Sequence, residues 1–120
     1  MSVNPQSGYY IFANGKPRTV KYAVISASSS GNNTLVAGVT GKKIRVVSLF
    51  YMAAGTVTVT FQSGAGGTAI TGAIAHTAQT GVVLNENFSG WFQTLANGDL
   101  LNVNLNAAIS IAGSLSYIEV

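Results

Sequence analysis

The sequence predicts an all-β fold, an antiparallel β-sandwich of about eight strands in the jelly-roll class. Three observations carry that prediction. Apolar and polar residues alternate with a period of two through much of the chain after Thr19, the pattern of strands buried on one face. Turn-forming Gly, Asn and Ser recur at short intervals, with 14 glycines against two prolines, so the strands are short and the loops tight. No segment repeats apolar residues at i, i+3, i+4 and i+7 over a useful length, which leaves no candidate helix. About eight short strands with this spacing close as a sandwich or jelly roll.

In chain order, Met1 to Gly8 is mostly polar and irregular, and Tyr9-Tyr10-Ile11-Phe12 is an apolar aromatic burst. Asn14-Gly15 is a type I′ hairpin signal because both central residues of that turn need positive φ. Two readings of residues 1–18 stay open: a hairpin folding back onto the strand near Thr19, or an arm reaching a neighbouring molecule. Residues 19–120 are the sandwich domain. Its strands are expected at about 19–27, 34–40, 43–53, 56–63, 68–74, 81–85, 90–95 paired with 100–105, and 109–119.

Val57, Val59 and Phe61 alternate with Thr56, Thr58, Thr60 and Gln62, and Leu101, Val103 and Leu105 with Asn102, Asn104 and Asn106. Each set predicts one core face and one wettable face. Near the C-terminus, Ile109, Ile111, Leu115 and Tyr117 oppose Ser110, Ala112, Ser114 and Ser116, with Gly113 interrupting the inward row as at a close backbone approach. The strand from Ile44 to Ala53 is apolar on both faces. Strict alternation places Ile44, Val46, Phe50 and Met52 on one and Val47, Leu49 and Tyr51 on the other, so both need cover. A neighbouring subunit or the chain's own N-terminal segment would supply it. In Gly90-Trp91-Phe92, adjacent aromatics on a strand face opposite ways: one is core, the other meets a partner or stacks on a ligand such as a sugar ring.

Charged residues are 8% of the 120, about a third of the usual share, so Thr, Ser, Asn and Gly must cover the surface. Mean hydropathy is +0.38, yet no run of about 18 apolar residues exists to span a membrane. The N-terminus lacks a basic and an apolar region of the signal-peptide kind, so cytoplasmic synthesis is expected. Without cysteine there are no disulfides or thiolate ligands. The net charge is +3, divided unevenly: Lys16, Arg18, Lys21, Lys42, Lys43 and Arg45 all precede the three acids, Glu86, Asp99 and Glu119. The basic residues read as solvated charges that keep sheet ends soluble, or as a patch for an acidic partner or another copy. They are too sparse, and too poor in interleaved aromatics, for a dedicated nucleic-acid binder.

Catalytic candidates are few. His76 is the only histidine and has no acid near it in sequence. A triad with Asp99 would have to assemble from distant loops. One His, one Asp and two Glu at wide spacing give no metal-ligand cluster. Gly64-Ala65-Gly66-Gly67 lacks the Lys-Ser/Thr and the helix of a phosphate loop and reads as a hairpin loop. No cofactor is expected.

From about Thr19 to Val120 the chain resembles the jelly-roll domains of small virion proteins of tailed bacteriophages. Carrying the resemblance are Gly41-Lys42-Lys43-Ile44-Arg45-Val46-Val47, Thr56-Val57-Thr58-Val59-Thr60-Phe61-Gln62-Ser63-Gly64, Gly90-Trp91-Phe92, Asn97-Gly98-Asp99-Leu100-Leu101-Asn102-Val103-Asn104-Leu105 and Gly113-Ser114-Leu115-Ser116-Tyr117. It implies a non-enzymatic capsid decoration or cement protein, often a homotrimer, on the capsid exterior and bound to the major capsid protein. A carbohydrate- or receptor-binding head of a fibre or tail protein, with Trp91 stacking on the ligand, is the alternative. Tyr9, Tyr10, Phe12, Lys16, Arg18, Lys42, Lys43 and Arg45 are the expected partner-binding residues.

Overall fold

Twelve strands and the loops between them make up residues 10–120 of this computed structural model, the residues the structure describes. β1 (Tyr10–Ala13) and β2 (Lys16–Thr19) pair antiparallel across the Asn14-Gly15 turn. Both turn residues have positive φ, 53° and 77°, as a type I′ turn requires. β3 (Lys21–Ala27), β5 (Ile44–Ala53), β9 (Thr80–Leu84), β10 (Phe92–Gln93) and β12 (Ile111–Glu119) form one antiparallel sheet in the order β10-β5-β12-β3, with β9 also on β5. β4 (Gly31–Val36), β6 (Val57–Ser63), β7 (Thr68–Ala69), β8 (Ile74–His76) and β11 (Leu101–Leu105) form the other in the order β4-β11-β6-β7, with β8 also on β6. The described residues are all-β, with antiparallel pairing throughout, in the arrangement of a β-sandwich.

The core lies between the sheets. Ile25, Ile44, Val46, Leu49, Tyr51, Ile111 and Leu115 of one pack with Val57, Val59, Phe61, Leu101, Val103 and Leu105 of the other. Phe61 anchors the middle, with the rings of Phe92 at 5.1 Å and Tyr51 at 6.1 Å. The alternations at Val57–Gln62 and Leu101–Leu105 therefore turn the predicted faces inward.

Strict alternation fails in β5. Ser116 pairs with Ser48 but Tyr117 pairs with Val46, leaving Val47 as an extra residue opposite β12. Such a bulge reverses which face successive side chains take. Ile44 and Val46 consequently share the core with Leu49 and Tyr51, against the expected division. Val47 instead joins Ile118, Val20, Ile11 and Ala13 in a second cluster beneath the β1–β2 hairpin. The chain's own hairpin covers this end of β5.

The predicted 68–74 strand is split. After β7, the Thr71 hydroxyl takes the hydrogen bond of the Phe61 amide at 3.1 Å, so a side chain replaces the backbone ladder before β8. The 90–95 strand shortens to two residues for the same reason, with the Ile44 amide donating to Thr94 Oγ1 at 2.8 Å. It does not pair with 100–105: β10 lies on β5 and β11 lies between β4 and β6. The run expected at 34–40 is β4 at 31–36, and Val20 interrupts the run from Thr19.

Gly113 is the tight point between β5 and β12. A Cβ there would run into the Phe50 carbonyl. Gly113→Ala is expected to cost about 2–3 kcal/mol, the upper range for overpacking, because backbone cannot step aside as a side chain can. Urea denaturation checks this, and a loss below about 0.5 kcal/mol, the scatter of neutral surface changes, would contradict it.

Candidate functional site

The outer face of the β3–β12–β5–β9 sheet carries few polar groups and no charge along its central rows. Register aligns Val24, Ser114, Phe50 and Val83 in one row and Ser26, Ala112, Met52 and Gly81 in the next. Val83 and Val24 are 75% and 74% exposed, Phe50 and Met52 54% each. Tyr22, Ser116 and Ser48 form a third row, where the two serine hydroxyls hydrogen-bond each other. Tyr22, Ser48, Phe50, Val83 and Ser116 border a shallow depression of about 280 Å³, with Glu86 at its rim. Contiguous exposed apolar surface of this kind marks an interaction site.

The opposite sheet turns a different face outward. Thr58, Thr60, Gln62, Asn32 and Asn104 lie at least partly in solvent there. Asn102 donates to Asn32 Oδ1 at 3.1 Å and Gln62 Oε1 at 2.8 Å, so amide bonds link the side chains of this polar face, while Asn102 Oδ1 is buried without a partner among the described residues.

At one end of the apolar face stands the hairpin. Ile11 and Ala13 point into the second cluster, which turns the alternate residues Tyr10 and Phe12 outward, 56% and 69% exposed. Tyr9 lies outside the described residues. Among the described residues, a sheet face and the outer side of a hairpin thus both expose large apolar side chains.

The predicted basic residues do not form one patch. Arg18 and Lys42 line a depression of about 250 Å³ together with Lys21, Glu119, Pro17 and Thr19. Arg45 is on the opposite flank of the sheet, with Nε donating to Gln93 Oε1 at 2.7 Å and its stem beneath Gly90. Lys16 is exposed beside the hairpin turn, and Lys43 is half-buried where its backbone pairs with Val120. Trp91 is 45% exposed and donates its indole N–H to the Asn85 carbonyl at 2.7 Å, while Phe92 packs on the core. Sequence reasoning missed Val24, Tyr22 and Val83 on the apolar face. Val82-Val83-Leu84 is a run without alternation, and only the register shows which residue faces out.

His76 and Asp99 take separate partners. Tyr51 Oη is 2.8 Å from His76 Nε2, and His76 Nδ1 is 3.2 Å from Thr80 Oγ1. Thr80 Oγ1 donates to the Thr77 carbonyl at 2.8 Å, leaving its lone pair for an Nδ1–H. That chain makes Tyr51 the donor to Nε2. Asp99 accepts from Ser63 Oγ at 2.7 Å, and Ser63 Oγ accepts from the Leu95 amide. No hydrogen bond or ion pair joins the two groups, and among the described residues no three His, Asp or Glu side chains gather as metal ligands. No helix there is long and apolar enough to cross a membrane. No protein-family model and no curated protein sequence matches this chain.

Burial pushes the Tyr51 hydroxyl up to about 12. The neutral phenol is thus favoured in the fold, and its stabilisation is present below about pH 10, the unfolded value, and lost as pH rises toward 12. Chemical denaturation across this range is expected to show falling stability, with a smaller fall in Tyr51→Phe. At neutral pH that variant leaves His76 Nε2 without its donor and is expected to cost about 1–3 kcal/mol. An unchanged midpoint would contradict the buried hydrogen bond.

Proposed function

We propose that this chain is a non-enzymatic structural protein of a bacteriophage virion, a jelly roll that self-associates as a trimer and decorates the capsid exterior. The observation that carries the assembly half is the outer face, uncharged along its central rows, with Val24, Phe50, Met52 and Val83 exposed beside a hairpin that exposes Tyr10 and Phe12. Two different apolar patches on one chain favour a head-to-tail contact, hairpin of one copy on sheet face of the next, and such contacts close into a ring when the rotation between copies divides a full turn. Three copies is the number the phage resemblance suggests. Fully burying a large apolar side chain is worth about 1.5–3 kcal/mol. Weighted by their exposure, the six side chains of one contact offer roughly 6–11 kcal/mol against an association cost of about 4–15 kcal/mol, so one contact alone is weak and the closing of neighbouring contacts supplies the strength.

Strand order supports the jelly-roll reading. With β7 and β8 taken as one interrupted edge strand, and β9 and β10 as another, the sheets run 3-12-5-9/10 and 4-11-6-7/8. Strands successive in the chain then switch sheet at each step, except that β7/β8 stays beside β6. Attachment to the major capsid protein rests on the phage resemblance, with the hairpin aromatics and the basic residues Lys16, Arg18, Lys42, Lys43 and Arg45 as docking groups.

Light scattering at micromolar concentration is expected to give three times the chain mass. Val24→Glu with Val83→Glu is expected to give monomers with an unchanged circular dichroism spectrum, because both side chains are already in water, and with a thermal midpoint lowered by the loss of association. Phe12→Glu alone should do the same. A wild-type chain that stays monomeric would remove the assembly reading. Shells imaged by electron microscopy with and without the protein, showing no added exterior density, would remove the capsid reading.

A further inference from the structure

The root of the hairpin gathers charge that the sequence keeps apart. Arg18 of β2, Lys21 of β3 and Lys42 of the loop before β5 line one depression, with Glu119 of β12 as its only acid. Three cations against one carboxylate leave +2 in a space of about 250 Å³. Arg18 is fixed there: Nε donates to the Ala13 carbonyl at 3.1 Å, and Nη1 to the Glu119 carbonyl at 3.4 Å. Among the described residues, three of its five N–H groups have no partner and can meet a ligand. Lys21 Nζ is 3.2 Å from Glu119 Oε1, and no ion pair engages Lys42 among the described residues. Its backbone is nonetheless held, its amide on the Val39 carbonyl and its carbonyl on the Gly98 amide, so the half-buried side chain starts from a fixed point.

We infer that this depression binds a carboxylate on an acidic segment of a partner protein, through Arg18, Lys42 and Lys21. Glu119 shows the fit from inside the site, since its carboxylate oxygen already meets Lys21. Glu119 also sets the selectivity. Spread over two carboxylates of an acidic segment, the charge that balances this +2 can keep clear of Glu119, whereas a phosphate dianion or a nucleic-acid strand concentrates it beside that carboxylate. Duplex or single-strand binding further needs cations spaced along a groove or bases stacked on aromatics, and the lining residues include no aromatic side chain. The partner class rests on the docking half of the proposed function, but the pocket itself stands without trimer formation.

Titration of the whole chain followed by amide NMR shifts tests this, with three probes: an acetylated and amidated tri-glutamate peptide, inorganic phosphate, and oligothymidylate. The peptide is expected to saturate, with the largest shifts at Thr19, Lys21, Lys42 and Glu119. Lys42→Gln should weaken it about tenfold, the loss typical of one charge-assisted hydrogen bond. Thr60→Glu changes the net charge by the same unit on the polar face of the other sheet and should change affinity less than about twofold, as screened surface charges do. Glu119→Gln should tighten binding, and in that variant phosphate should gain more than the peptide. Absence of saturation by the peptide, equal losses in Thr60→Glu and Lys42→Gln, or tighter binding of phosphate or oligothymidylate by the wild-type chain would each overturn the inference. A chain that binds the peptide yet leaves shells bare keeps the pocket and loses the capsid reading.

Discussion

One extra residue in β5 organises the molecule. Because Val47 bulges out of register with β12, the ten-residue strand Ile44–Ala53 fills the core at both ends and still spares apolar side chains for the outside. Without the bulge, placing Leu49 and Tyr51 inward would send Ile44 and Val46 to the surface, and the first part of the core would be lost. With it, Val47 becomes the anchor on which Ile11, Ala13 and Val20 seat the hairpin. The hairpin then presents Tyr10 and Phe12, and its root carries Arg18 to Lys21 and Lys42. Core, hairpin and charged depression all depend on that one backbone irregularity.

The two outer faces also follow from this economy of charge. A protein with few ionic groups must keep its surfaces wet by other means, and the β4–β11–β6 face does so with threonine and a mutually bonded amide set. The opposite face does not. Serines and alanine occupy β12 at its centre, and around them Val24, Phe50, Met52 and Val83 stand in water. Small residues at the centre leave a shallow floor and large ones make its walls, a shape suited to receive side chains from another molecule. Burying such a face asks little desolvation of ions, which is why an uncharged interface agrees with the low charge of the whole chain.

Much of this fold is legible in the order of the amino acids. Val57–Gln62 and Leu101–Leu105 alternate cleanly because each strand has a single core face, and Asn14-Gly15 announces its turn through the φ values that few other residue pairs accept. Gly113 is readable as a close approach. The bulge is not readable, since a strand apolar on both sides gives period-two reasoning no polar residue with which to set its phase. The splitting of 68–74 is hidden as well, because Thr71 enters the ladder through a hydroxyl that looks like any other threonine. The basic cluster is legible only in part. Arg18 and Lys42 stand out for their sequence neighbours, while their spatial neighbours are each other and Lys21, and Arg45 is drawn away to Gln93 by the turn at Gly90.

Assembly requires that another copy of the chain cover the apolar sheet face. Carbene footprinting at concentrations below and above the assembly range tests this directly, residue by residue. Val24, Phe50, Met52 and Val83 should lose labelling as concentration rises, together with Tyr10 and Phe12, while Thr58, Thr60 and Gln62 on the other sheet stay unchanged. Labelling of the apolar face that does not vary with concentration, or protection that falls on the threonine face instead, would contradict it.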